Sequence, residues 1–359
     1  MNYKIRFNRT ILVDGSYFLH RMLMQPNQWE LQTTTGKRTG GIFGVLKSIY
    51  KEIEKYNYFP IVVFDGGLAP RRLAIYPNYK RNEDKQLLLE CKEYEKTEQQ
   101  ILDEAFMREY RTQRKDIIKI LHELGIPCIR LENWEGDDLL YILSKMSKDS
   151  IIVTDDKDLI QAVTQNENRK CRVWRTMNNE MWDVNTLKQQ NLDAWEYINC
   201  KAISGDPSDN IPGVAQGVSK GTALGLYKIL ESKKPFPTND IELKSICSEL
   251  GIQKRSAYLN FNPRQFEINM ELMNLQLVDD DITEYFEEDL YQEILSEFAY
   301  SNERNAAQIM NELEMYSLNP TDIVKRVTKL NNYLKIEDET NITDKRETTT
   351  QSALFGLFS

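Results

Sequence analysis

Histidine is nearly missing from this sequence: His20 and His122 are the only two in 359 residues. That argues against a histidine-rich metal site and against a Ser-His-Asp hydrolase. Cysteine is almost as scarce. Cys91, Cys128, Cys171, Cys200 and Cys247 lie far apart and form no CxxC pair. Neither a zinc site nor a disulfide framework is expected, and buried free thiols are the simpler assignment. No stretch approaches the ~20 consecutive apolar residues that a membrane span needs. The N-terminus, MNYKIRFNRTILVDGS, lacks the apolar middle and small-residue cleavage site of a signal peptide. These absences predict an intracellular, cytoplasmic protein with no membrane association. Basic residues are also in deficit, 46 against 55 acids, for a net charge of −9.

What is present reads as an ordinary globular chain, 41% apolar and 28% charged. An apolar run ends at Asp14 and a second, PIVVF, ends at Asp65, and both read as buried strands. Between them, Ile42, Val45, Leu46, Ile49 and Ile53 share one helical face. Residues 83 to 115 are highly charged and free of Gly and Pro, which favours helix. A further helix, RKDIIKILHELGI, closes at Gly125 and Pro127. PCIRLE with EGDDLLYILSKM, then SIIVT with DDKDLIQAV, repeat a strand-then-helix pattern, and CRVWRT is another short strand. Alternation of this kind over residues 1–200 predicts an α/β fold, a mostly parallel central sheet flanked by helices. From about residue 201 to 335 the pattern is helical. Residues 336–350 are polar and without aromatics, and are expected to be a disordered linker before an apolar end, QSALFGLFS, at 351–359.

Acids gather where such a sheet places its ligands, at the carboxyl ends of strands. Asp14, Asp65, Glu135, Asp137, Asp138, Asp156, Asp158, Asp206 and Asp209 come from five segments, four of which follow strands. In a helix starting at EGDD, Glu135 and Asp138 stand three apart on one face. Hard divalent ions such as Mg²⁺ want oxygen ligands. Two-metal phosphodiester cleavage needs ions about 3.5–4 Å apart. Any one of these acids alone is better explained as a turn former or helix cap, and Asp155 is taken as such a bystander. Together the nine would repel one another severely without cations. They also equal the whole charge deficit of −9.

Seven short motifs, ILVDGS, TGGIFG, VVFDGG, YPNYKRN, WEGDDLL, VTDDKDLIQ and GDPSDNIPGV, follow in order across residues 11–214. In this order they resemble the 5′-nuclease family: flap endonucleases, the 5′-exonuclease domains of bacterial DNA polymerases and phage RNase H-type nucleases. The helical part beyond residue 240 most resembles the phage members. The resemblance implies a PIN-like core whose nine acids bind two or more Mg²⁺ ions, with Mn²⁺ able to substitute. In the family's TxDxD pattern Asp156 and Asp158 are the matching pair. The implied reaction is phosphodiester hydrolysis leaving a 5′-phosphate and a 3′-hydroxyl, as a 5′-3′ exonuclease and flap endonuclease with RNase H activity that removes RNA primers or flaps in replication.

The resemblance also assigns substrate-handling parts. Lys80 takes the place of a catalytic lysine beside Asp14 and Asp65, and Tyr79 that of a base-stacking tyrosine. Arg71, Arg72, Arg81 and Lys85 would extend the basic surface. Residues 83–115 correspond to a helical arch over the site. Residues 203–231 resemble the helix–turn–helix hairpin that grips duplex DNA, through Gly217, Ser219, Lys220 and Gly221, and that holds K⁺ in the family. Ser219 breaks the family's Gly-hydrophobic-Gly at that turn. Gln351, Leu354, Leu357 and Phe358 resemble a sliding-clamp-binding peptide, with Leu357 where an aromatic is commoner. Expected partners are branched or nicked DNA, RNA–DNA hybrid, a sliding clamp and single-strand DNA-binding protein, for a protein taken as a monomer. Two other assignments share the acids: a PIN-type RNA endonuclease and a catalytically silent junction-binding scaffold.

Overall fold

The apolar run before Asp14 becomes the strand around which a sheet is built. A computed structural model describes residues 7–81, 97–214, 220–232, 240–249, 261–277 and 301–331. Strand β1 (Phe7–Asp14) is followed by helices α1 (Gly15–Leu23), α2 (Pro26–Trp29) and α3 (Gly40–Tyr56), then β2 (Phe59–Val63) and α4 (Pro70–Ile75). Next come α5 (Glu98–Glu123), β3 (Cys128–Ile129), α6 (Gly136–Lys145) and β4 (Ser147–Val153). A 3₁₀ turn at Asp158–Ala162 leads to β5 (Thr164–Gln165), β6 (Lys170–Arg175) and β7 (Glu180–Trp182). The rest is helical: α7 (Val184–Gln189), α8 (Ala194–Ser204), α9 (Lys220–Ser232), α10 (Asp240–Glu249), α11 (Pro263–Met273), α12 (Glu303–Glu312) and α13 (Pro320–Leu330).

The sheet runs β3-β2-β1-β4-β6-β5, with β7 also on β6. The pairs β3·β2, β2·β1, β1·β4 and β4·β6 are parallel, while β5 and β7 run antiparallel to β6. Ile11, Leu12 and Val13, with Ile61, Val62 and Val63 beside them and Ile151, Ile152 and Val153 on the other side, are fully buried. A parallel sheet covered on both faces requires such uninterrupted apolar runs. The five residues expected on one face of α3 are all buried. Gly125, in the left-handed region at φ 75°, follows the end of α5.

The described chain divides into two compact units that interleave in sequence. The first comprises Met1–Gly66, Leu102–Asp183 and Ile282–Ser359; the second comprises Gly67–Ile101 and Val184–Asp281. A linear division at residue 200 misses this, because α12 and α13 pack with the α/β unit. The Asn302 N–H donates to the Glu123 carbonyl (2.9 Å), Arg326 approaches Glu54 (3.6 Å), and Glu314 accepts from the Thr34 N–H (3.0 Å).

The helical unit has its own core of Tyr79, Ile198, Ile211, Leu272 and Met273. Asn269, fully buried, closes it with bonds from Nδ2 to the carbonyls of Ala202 (2.7 Å) and Pro212 (2.8 Å). Cys128, Cys171 and Cys200 are buried free thiols, as expected. Among the described residues no helix is long and apolar enough to cross a membrane.

Candidate metal centre

Strand pairing fixes where the acids of the α/β unit stand. Asp14 is the last residue of β1 and pairs with Val63, so Asp65 lies just beyond the end of β2. Val13 pairs with Val153, which puts the Thr154–Asp158 loop beyond the neighbouring strand, β4. Asp14 is also the N-cap of α1, accepting the Tyr17 N–H at 2.9 Å. Its other oxygen accepts from the Thr154 hydroxyl at 2.8 Å, and Thr154 Oγ1 accepts the Asp156 N–H at 3.1 Å. One threonine therefore links two of the expected ligands. The Asp65 N–H donates to Ser16 Oγ (2.9 Å), and Asp65 Oδ1 accepts the Gly136 N–H at 2.7 Å. Arg130 Nε holds the Asp65 carbonyl at 3.1 Å.

At the start of α6, Glu135 is the N-cap residue and is 3% exposed, Asp138 is 1% exposed, and Asp137 is half-buried. Asp137 Oδ1 accepts the Asp138 N–H at 2.9 Å. Asp156 is exposed and Asp158 half-buried, and Asp156 Oδ1 accepts the Asp158 N–H at 2.8 Å. Burial, and then the nearby charge of Asp65, push the Asp14 carboxyl up to about 7; Asp156 adds to the rise. Asp14 is thus held among other carboxylates at a strand end, in hard oxygen surroundings that suit a divalent cation. Tyr110, on α5, reaches the same place. Burial raises its hydroxyl to about 12, against the bond from Ser16, while Asp65 and Asp14 raise it further.

Asp206 and Asp209 belong to the helical unit, on a short 3₁₀ turn entered through Pro207. Each brings a carboxylate oxygen within 4.8 Å of the other. Burial pulls Asp206 up, but bonds from Ser208 and the Lys201 ammonium at 3.0 Å outweigh it and hold the carboxyl below its usual value. Lys80 is exposed, with Nζ 3.8 Å from Asp209 and its N–H bonded to the Asp209 carbonyl at 2.9 Å. Its backbone sits in the left-handed region, φ 50°.

Two expectations about substrate handling fail, one for base stacking and one for the basic surface. Tyr79 is 3% exposed and belongs to the core of the helical unit, so its ring faces are spent on packing rather than open to a base. Arg72 is 1% exposed, with Nε bonded to the Leu272 carbonyl at 2.9 Å, and so adds nothing to the surface. Arg71 is half-buried with Nη1 on the Glu271 carbonyl (3.0 Å), whereas Arg81 is exposed. Lys85, Gly217, Ser219, Gln351, Leu354, Leu357 and Phe358 lie outside the described residues, as does the proposed linker. Lys220 and Gly221 open α9, whose backbone alone is described there. Of the expected arch, 97 onward is described, and from Glu98 it belongs to one 26-residue helix, α5.

Ser16, Thr154 and Gly136 went unremarked as parts of the site. The signal for Thr154 was available in the TxDxD pattern; that for Gly136 was not, since its role depends on where Asp65 lies.

Comparison with known proteins gives a consistent result. The family model for the 5′-3′ exonuclease, N-terminal resolvase-like domain, matches residues 9–192. A 5′-3′ exonuclease of Buchnera aphidicola subsp. Acyrthosiphon pisum is 26% identical over 304 residues, 80% of this chain and 96% of that protein. DNA polymerase I of Pseudomonas aeruginosa is 27% identical over 281 residues, 73% of this chain and 27% of the polymerase. The fold matches that of bacteriophage T5 D15 flap endonuclease, solved as a pseudo-enzyme–product complex with DNA and metal ions. The TM-score is 0.53 at 19% identity, covering 89% of this chain and 99% of that one.

Proposed function

Because the chain belongs to the 5′-3′ exonuclease family, we propose that it is a divalent-metal-dependent 5′ nuclease acting on branched or nicked DNA and RNA–DNA hybrid during replication. The observation that carries this reading is the gathering of Asp14, Asp65 and Asp156 beyond adjacent parallel strands, where burial first and then the charge of Asp65 push Asp14 up to about 7. Such crowding has a cost that a bound cation reverses. In the α/β unit Asp14, Asp65, Glu135, Asp137, Asp138, Asp156 and Asp158 are the proposed ligands, and in the helical unit Asp206 and Asp209 are a further pair. Mg²⁺ is the proposed ion, with Mn²⁺ as a substitute. When bound, such ions activate the attacking water and stabilise the leaving oxygen.

The chain's own groups do the orienting. Thr154 and the Tyr17 N–H each fix one oxygen of Asp14, and the Gly136 N–H fixes Asp65. Lys80, exposed and held by its backbone to Asp209, supplies an ammonium for the charge that develops on the scissile phosphate. The 203–231 hairpin is proposed to grip duplex through backbone N–H groups around Gly217, Ser219, Lys220 and Gly221. The 351–359 peptide is proposed to tether a monomeric, cytoplasmic enzyme to a sliding clamp.

Cleavage of a 5′-labelled flap duplex tests the reading. Cutting near the junction is expected in Mg²⁺, abolished by EDTA and lost in Asp156→Asn. Tight binding of the same duplex by the wild-type protein without cutting would sink it and favour a silent scaffold.

A further inference from the structure

Asp155 sits between the two residues that organise the loop after β4, Thr154 and Asp156, yet its carboxylate serves a different set of groups. Its side chain is 7% exposed. It accepts from the Tyr17 hydroxyl, from the Thr176 hydroxyl at 2.8 Å and from the Met177 N–H at 3.1 Å. Two guanidiniums face it, Arg21 Nη1 at 4.0 Å and Arg175 Nε at 3.9 Å. Arg21 also donates to the Tyr17 hydroxyl (3.1 Å) and to Thr176 Oγ1 (2.6 Å). Tyr17 and Arg21 are one turn apart on α1, the helix that Asp14 caps, whereas Arg175, Thr176 and Met177 come from the end of β6 and the turn after it. The aspartate therefore joins three chain segments.

Two of those segments carry acids of the proposed metal centre. Asp14 starts α1, and its Oδ2 is bonded to Thr154, immediately before Asp155. The Asp156 N–H returns to Thr154. The loop is thus attached to α1 twice, through Thr154 to Asp14 and through Asp155 to Tyr17 and Arg21. Holding like charges close demands such a frame, because repulsion between Asp14, Asp65 and Asp156 works to spread them. A carboxylate suits the post since all five neighbours are donors, and an ionised aspartate offers acceptors only.

We propose that Asp155 is a positioning residue for the metal centre: it locks α1 to the loop after β4 and so holds Asp14 and Asp156 at the spacing a cation requires. This rests on the metal-dependent reading above. Groups that orient a metal's ligands without touching the metal change affinity when removed, typically by 10- to 100-fold.

The decisive variant is Asp155→Asn, which keeps the shape but turns one acceptor oxygen into a donor amide facing donors. Binding of Mn²⁺ is read directly, by the free-ion electron paramagnetic resonance signal during titration of the full chain, alongside the melting temperature in EDTA. The expected result is an Mn²⁺ Kd raised at least about tenfold at a temperature where the variant is folded, with kcat at saturating Mn²⁺ within about threefold of wild type because the ligands themselves remain. A lowered melting temperature with unchanged Mn²⁺ Kd would make Asp155 a stability element only and overturn the proposal. Should Asp155→Asn fail to fold, Tyr17→Phe removes a single donor and carries the test. A Kd raised by roughly two- to fivefold, one hydrogen bond's worth, supports the proposal, and an unchanged Kd overturns it. Wild-type protein that binds no Mn²⁺ would defeat the metal-dependent reading itself, a result distinct from either.

Discussion

Asp14 carries three roles in one side chain: it ends β1, caps α1 and anchors Thr154. With both oxygens already engaged, its geometry is fixed before any ligand arrives. Asp65 is fixed from outside, and the contact that does it leaves no room for a larger neighbour. A Cβ on Gly136 would stand 2.9 Å from Asp65 Oδ1, closer than such atoms tolerate. Gly136→Ala sets two effects against each other. Alanine in a helix is favoured over glycine by about 1 kcal/mol, so the melting temperature in EDTA is expected to hold or rise slightly. Asp65 must move, so nuclease activity at limiting Mg²⁺ is expected to fall by roughly tenfold or more. Parallel losses of stability and activity would instead mean that the glycine serves packing alone. Nothing in WEGDDLL announces this contact, because the partner lies 71 residues away. Tyr79 shows the converse limit. A tyrosine beside a lysine reads equally well as a base platform or a core residue, and only the surrounding Ile198, Ile211, Leu272 and Met273 decide it.

Elements were legible where burial is two-sided. The runs at 11–13, 61–63 and 151–153 have no polar face, and a strand buried on both faces needs none. The allegiance of α12 and α13 was hidden, since periodicity reveals an apolar face but not what covers it. Loops were the least legible and matter most for the lysine. The turn carrying Lys80 and the loop carrying Asp206 and Asp209 are joined by two bonds, Lys80 N–H to the Asp209 carbonyl and Asn210 Nδ2 to the Asn78 carbonyl, both 2.9 Å. Lys80 and Asn210 both occupy the left-handed region, at φ 50° and 59°. Asn210→Ala removes a bond worth about 1 kcal/mol and leaves a residue ill-suited to that backbone, at about 1–2 kcal/mol more. The expected outcome is a stability loss of roughly 2–3 kcal/mol with kcat reduced about ten- to hundredfold as Lys80 drifts. Asn210→Gly relieves the backbone strain only, so denaturant melts should recover about 1 kcal/mol while kcat stays low. Recovery of kcat along with stability would show that the side-chain bond does not place the lysine.

At the scale of the whole molecule, the net charge of −9 does not say which acids carry charge. The sequence exposed the acids' number and order but not their protonation, which depends on burial and on distances between segments. Asp14 is raised from 3.8 to about 7 by burial and by Asp65, so the metal-free fold binds its proton more tightly than the unfolded chain does. The stabilisation this brings is complete below the ordinary carboxylate pKa and is lost as pH rises through 7. Asp206, lowered by Ser208 and Lys201 despite its burial, works in the opposite sense, but its contribution is lost only as pH falls below the carboxylate range. The Asp14 contribution is lost as pH rises from 5.5 through 7, and the melting temperature in EDTA is expected to fall over that interval and level off above it. A cation takes the place of the proton, so apparent Mg²⁺ affinity should rise by up to about tenfold per pH unit below 7 and level off above it. Thermal melts in EDTA and in Mg²⁺ across the series give both trends at once: the Mg²⁺ increment should widen steadily from pH 5.5 to 7.5. An increment that stays constant with pH would mean that the ion binds without displacing a proton, and that Asp14 is not among its ligands.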